Sequence, residues 1–224
     1  MPDQTPDAPV QCGVLLFRGA EPLDALGPAQ VLWTLSAVRP FLPPFEAVDV
    51  HLVAEQAGPV ELAYGLVVNA TVSYDDCPPL DILVVPGGSG GEEDDGTARW
   101  GRRFYEHHEP TLAFIRRQAA TAPLTTSVCT GAFLLAGAGL LAGRSATTHW
   151  TARDELVAKM ADRGEDFTLA VARVVDEGPV VTAGGVSSGI DLALHLVARR
   201  FGPQVRDAVA LGIELETPGI PAPA

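Results

Sequence analysis

Short, continuous apolar runs alternate along this chain with longer segments of helical spacing. The runs at residues 12–17 (CGVLLF), 82–85 (ILVV) and 124–128 lack the in–out alternation of a sheet wetted on one face, and residues 48–54 read as a further strand. Such runs suit strands buried on both sides, as in a parallel sheet covered by helices. Residues 65–70 (GLVVNA), beside a small hairpin, and 145–149 read as further strands, and residues 167–175 and 180–182 straddle the turn DEGP as a hairpin-like pair. Between the strands, Val31, Leu32 and Leu35 share one face of a helix with Pro28 in its first turn. Residues 111–120 are amphipathic, and residues 151–163 read as a helix capped by Thr151. Ile190, Leu194, Val197 and Phe201 keep the helical period, with Asp191 and His195 one turn apart as an expected polar pair, and residues 205–216 close the series. Strand–helix alternation predicts an α/β fold with a mostly parallel sheet and right-handed crossovers.

One stretch dominates the chemistry: residues 124–150, LTTSVCTGAFLLAGAGLLAGRSATTHW. A buried strand delivers Cys129 to the start of a helix predicted over residues 132–141. A helix N-terminus favours a thiolate over a thiol, and a strand-to-helix elbow presents the side chain at the carboxyl edge of the sheet. Cys129 therefore reads as a nucleophile, against the plainer alternative of a buried packing cysteine. The strand at 82–85 ends abruptly in PGGSGG, so Gly87 and Gly88 lie on the same edge, with backbone N–H groups free to turn toward a ligand; a flexible loop is the alternative. Asp24 follows the first strand just ahead of its helix, where a capping role competes with a catalytic one.

Composition narrows the class. The 224 residues are 47% hydrophobic, enough for one α/β domain over residues 11–216 between short polar tails at 1–10 and 217–224. A net charge of −13 argues against binding nucleic acid or an anionic membrane. Three scattered cysteines form neither a disulfide framework nor a zinc motif, and there is no signal peptide or spanning run, so a soluble, cytoplasmic protein is expected. Residues 92–109 look like an insertion. Its adjacent His107 and His108, with Glu109, point to different sides and suit a solvated segment better than a metal site.

Taken together, SVCTGAFLLAGAGLLAGRSATTHW, the earlier PGG, PLDALGPAQVL, DCPPLD, FIRRQAA and AGGVSSGIDLAL resemble the ThiJ/PfpI superfamily. The resemblance is strongest to its isocyanide hydratase branch, because Asp24 stands where many members carry Glu and Thr130 where the protease-like branch has His. It implies a flavodoxin-like three-layer sandwich with a cysteine nucleophile elbow, a homodimer, a small-molecule substrate and no metal or organic cofactor. It further implies that Cys129 attacks the terminal carbon of an isocyanide, that Asp24 is the general acid, and that the N–H groups of Gly88 and Thr130 stabilise an anion. On the same basis Gly87, His149, Gly185 and Val186 line or support the pocket. A hydrolase or glyoxalase-like enzyme, and a ligand or redox sensor related to AraC-type regulators, share the same signature and stay open as alternatives.

Overall fold

The computed structural model describes residues 8–88, 90–92 and 98–215. Residues 1–7 of the expected N-terminal tail, 93–97 of the insertion, and 216–224 lie outside the described residues.

In chain order, β1 (Val10–Leu15) leads to α1 (Pro22–Val38), β2 (Val48–Ala54), the hairpin β3 (Gly58–Glu61) and β4 (Val67–Ala70), and β5 (Val72–Ser73). Then follow β6 (Ile82–Val85), a second hairpin of β7 (Gly90–Glu92) and β8 (Ala98–Gly101), α2 (Arg102–Tyr105) and α3 (Glu109–Ala119). The next elements are β9 (Leu124–Val128), α4 (Ala132–Gly137), β10 (Arg144–Ala146), α5 (Arg153–Asp162) and β11 (Phe167–Leu169). The chain closes with β12 (Val174–Asp176), β13 (Val180–Ala183), α6 (Ser188–Phe201) and α7 (Pro203–Gly212).

The central sheet has the strand order β12-β13-β9-β6-β1-β2-β5, and every pairing in it is parallel except β12 with β13. All residues of β6, β9 and β13 are buried, as their unbroken apolar or β-branched composition requires. This is the flavodoxin-like α/β architecture, with α1, α6 and α7 packed together and α4 in contact with both α3 and α5. From β1 the chain moves one way to β2, whereas from β6 it moves the other way to β9. That reversal is a topological switch point, and open α/β sheets bind ligands in the crevice outside the strand carboxyl ends there.

Several boundaries differ from the expected ones. The helix after Cys129 stops at Gly137 because Gly139 turns left-handed (φ 79°) and Leu140 N–H reaches back to the Leu135 carbonyl. The strand expected over 145–149 ends at Ala146, where side-chain hydrogen bonds to Thr147 and Thr148 take over. Thr151 does not cap the helix: it lies in a 3₁₀ turn, Trp150–Ala152, capped by the His149 ring, and α5 begins only at Arg153 without a side-chain cap. Residues 167–175 split, since β11 pairs with β10 and only β12 pairs with β13. Asp191 and His195 do not pair. Asp191 bonds Arg173 on the neighbouring loop, while His195 meets Asp176 at 2.7 Å, because cross-element partners lie closer than the next helical turn.

The insertion is tied down by buried charge. Arg102, 6% exposed, bridges Glu106 at 2.9 Å and Glu155 of α5 at 2.8 Å and lies over the Phe133 ring of α4. Lys159 meets the other Glu106 oxygen at 3.2 Å. His107 and His108 turn to different partners, Glu106 and Thr111, consistent with their opposite directions.

Candidate active site

Four strand ends build the site. The loop after β1 leads into α1, whose first turn brings Asp24; β6 brings Pro86 to Gly88, β9 ends in Cys129, and β13 runs on into Gly184 to Val186. Cys129 has φ 57°, the strained left-handed conformation of a nucleophile elbow, so its side chain departs from the strand line. Its own N–H donates to the Gly184 carbonyl at 2.8 Å, and its carbonyl accepts the Thr148 hydroxyl at 2.9 Å. The elbow is thus pinned from both sides of its backbone. Gly131 lets it pass under β6: a Cβ there would stand 2.3 Å from the Val85 carbonyl oxygen.

Asp24 lies inside the first turn of α1, as its third residue, and not ahead of the helix. It caps nothing. Its Oδ2 accepts the Gly87 N–H at 3.0 Å, and its Oδ1 is buried with no nitrogen or oxygen partner among the described residues. The carboxyl faces the Cys129 thiol, and both groups are buried, at 0% and 7% exposure. Burial pushes the Asp24 carboxyl up to about 7, helped by the charge of Glu21 and opposed by the Gly87 N–H. Burial also pushes the thiol up to about 12, with the Asp24 charge adding to the rise; the N–H groups of Val186 and Thr130 donate to the sulfur and oppose it. Two acids in such contact share one titration, so near neutrality the pair carries a single negative charge at most.

This differs from a thiolate settled by a long helix. The stretch after Cys129 is a single 3₁₀ turn, Cys129–Gly131, followed by the six residues of α4. The donors that reach the sulfur are individual N–H groups, and Val186 supplies one through an unusual backbone (φ 34°) for a β-branched residue.

Gly87 makes this convergence possible. A Cβ on it would stand 2.5 Å from both Thr130 N and Oγ1 and 3.0 Å from Asp24 Oδ2. The Gly88 N–H donates to Thr130 Oγ1 at 3.1 Å, so it is already satisfied within the site. His149 does not join the pair. Its ring lies against Gly185, where a Cβ would be 2.3 Å from Cδ2, and bonds Thr151. Two neighbours escaped the sequence reading: Glu21 at the mouth, and Tyr64, whose hydroxyl donates to Glu21 Oε2 at 3.0 Å. Tyr64 carries the one local signal, a left-handed residue (φ 63°) before Gly65.

Residues 11–199 match the DJ-1/PfpI family. The chain belongs to the DJ-1/PfpI family. Among characterised relatives, it is 39% identical to an isonitrile hydratase of Pseudomonas putida, over 92% of this chain and 78% of that protein. It is 29% identical over 161 residues to the transcriptional regulator CdhR of Pseudomonas aeruginosa, of which the match spans only 41%. A crystal structure of a ThiJ/PfpI family protein from Pseudomonas syringae superposes with a TM-score of 0.78 at 29% identity, covering 100% of this chain and 86% of that one. On this family's fold the chain carries Cys129 at a strand-to-helix elbow on the carboxyl edge of the covered parallel sheet. No helix among the described residues is long and apolar enough to cross a membrane.

Proposed function

We propose that the protein hydrates isocyanides to N-substituted formamides, with Cys129 as nucleophile and Asp24 as the proton donor and acceptor. The observation that carries this reading is the buried, isolated contact between the two groups, with Thr130 and Val186 N–H groups on the sulfur. The similarity to an isonitrile hydratase over most of both chains supports it.

In the singly charged pair the proton rests on Asp24 when the sulfur is the anion. The thiolate forms a carbon–sulfur bond at the terminal carbon of R–N≡C, and Asp24 delivers its proton to that same carbon. The product is a thioimidate, R–N=CH–S–Cys129, beside an Asp24 carboxylate. That carboxylate takes a proton from water as the oxygen attacks the carbon, and the nitrogen takes the proton up. The tetrahedral adduct then expels the Cys129 thiolate and yields R–NH–CHO, with the hydroxyl proton returning to Asp24. All atoms come from the isocyanide and one water, so the cycle consumes no cofactor. Thr130, held between Gly88 and the elbow, positions the sulfur's second donor.

A homodimer is part of the same proposal and is checked by sedimentation. The regulator similarity favours one second reading, a ligand-sensing domain. Formamide release from an aryl isocyanide by the wild type, with methylglyoxal as a competing substrate, separates hydratase from glyoxalase-like enzyme and from sensor.

A further inference from the structure

Beside the elbow, lined by residues 148–150 and 184–188 among others, lies a cleft of about 560 Å³. No carboxylate lines it, although the chain as a whole carries a net charge of −13. Two arginines do line it, and they differ. Arg173 is neutralised by Asp191 and also reaches Ser187. Arg153, at the start of α5, has no ion pair or hydrogen bond among the described residues, and its Nε is buried without a partner. A guanidinium is always charged and strongly favours bidentate acceptors, so a half-buried one left unpaired is costly unless something meets it.

The rest of the cleft suits the same kind of ligand. His149 accepts the Thr151 N–H at Nδ1 and holds Nε2, its other polar atom, beside Gly185. The 14-residue helix α6 opens at Ser188 on this cleft, with the partial positive end of its dipole. The lining also holds two apolar side chains with little cover, Trp150 at 70% and Val171 at 73% exposure. Charge and apolar surface lining one cleft fit a small organic anion with an aromatic or aliphatic body.

We propose that this cleft is a binding site for such an anion, a carboxylate or phosphate ester anchored by Arg153 with its body against Trp150 and Val171. The cleft adjoins the Cys129–Asp24 pair, since Thr148, Gly184 and Val186 line it and also hydrogen-bond Cys129, but neither Cys129 nor Asp24 lines it. It goes beyond the proposed hydration, and its test does not depend on turnover.

The test is calorimetric titration of the full chain with sodium benzoate and, separately, with inorganic phosphate, on wild type, Arg153→Ala and Arg153→Lys. The expected result is saturable one-to-one binding of at least one anion to the wild type. Binding should weaken by about tenfold or more in Arg153→Ala and be partly kept in Arg153→Lys, as one charge-assisted anchor predicts. Benzoate binding more tightly than phosphate would mark a carboxylate ligand with an aromatic body; the reverse would mark a phosphorylated one. If Arg153→Ala fails to fold by circular dichroism, Arg153→Gln takes its place, and Trp150→Leu must then weaken benzoate binding as well. No saturable binding of either anion to the wild type, or equal affinity in a folded Arg153 variant, overturns the proposal.

Discussion

The Asp24 carboxyl and the Cys129 thiol face each other inside the protein: the Asp24 charge makes the thiol harder to ionise, whereas the hydrogen bond from the thiol favours the carboxylate that burial disfavours. One comes from the first turn of α1 and the other from the end of β9, and the Gly87 N–H beside them fixes the carboxyl. The chemistry proposed here and most of the predictions below follow from that contact.

The first concerns stability against pH. The Asp24 carboxyl stands at about 7 in the folded protein against an ordinary 3.8. The folded state therefore keeps a proton that the unfolded chain has already released, so stability is full below about pH 4 and declines as pH rises to about 7. Asp24→Asn removes that titration. Thermal melts should show the variant gaining about 2–4 kcal/mol relative to wild type between about pH 4 and pH 8; a pH-independent difference would contradict the buried, protonated carboxyl.

The same contact sets the rate profile. The reactive pair is the singly charged one, so kcat/KM for an isocyanide should rise with pH to a plateau, with its midpoint at about 7, where the first proton leaves. Residual activity in Asp24→Asn should lack that limb. An unchanged profile in the variant would assign the titration to another group.

Gly87→Ala tests the close approach at the site. The added methyl meets Thr130 N and Oγ1 at 2.5 Å, both part of the elbow's own packing. We expect a loss of about 1–3 kcal/mol in stability, as for other overpacked sites, and a fall of at least about tenfold in kcat/KM. Normal melting with normal turnover would show that the loop after β6 gives way freely.

Arg102→Ala tests the buried ion cluster under the insertion. It leaves Glu106, 7% exposed, with Lys159 and the exposed His107 ring, and removes the contact with Phe133. The expected cost is about 2–4 kcal/mol by denaturant unfolding, with Arg102→Met costing less because it refills the volume. Equal costs for the two variants would mean that the refilled volume contributes little and that the lost ion pairs account for the whole effect.

Much of this architecture is readable in the chain. β6 and β9 are buried on both faces, and their uninterrupted runs say so; the elbow follows from a strand, Cys129 and helix-forming residues in direct succession. PGG after β6 marks the second wall. What stays hidden is pairing across distance. Asp24 looks like a cap because its partners, Gly87 and Cys129, are brought to it by the crossing of four strand ends. Arg102 looks like a solvated residue of an acidic insertion because Glu155 and Phe133 belong to other helices. The length of α4 was obscured by the run AGAGLLAG, whose composition is helical until Gly139 turns left-handed.

The most direct measurement is formamide production from an aromatic isocyanide by wild type, Cys129→Ala and Asp24→Asn, with folding of each checked by circular dichroism. The account predicts turnover by the wild type, none by Cys129→Ala, and a loss of about a hundredfold or more in Asp24→Asn. No formamide from a wild type with a reduced Cys129 thiol, or full turnover in folded Asp24→Asn, would contradict it.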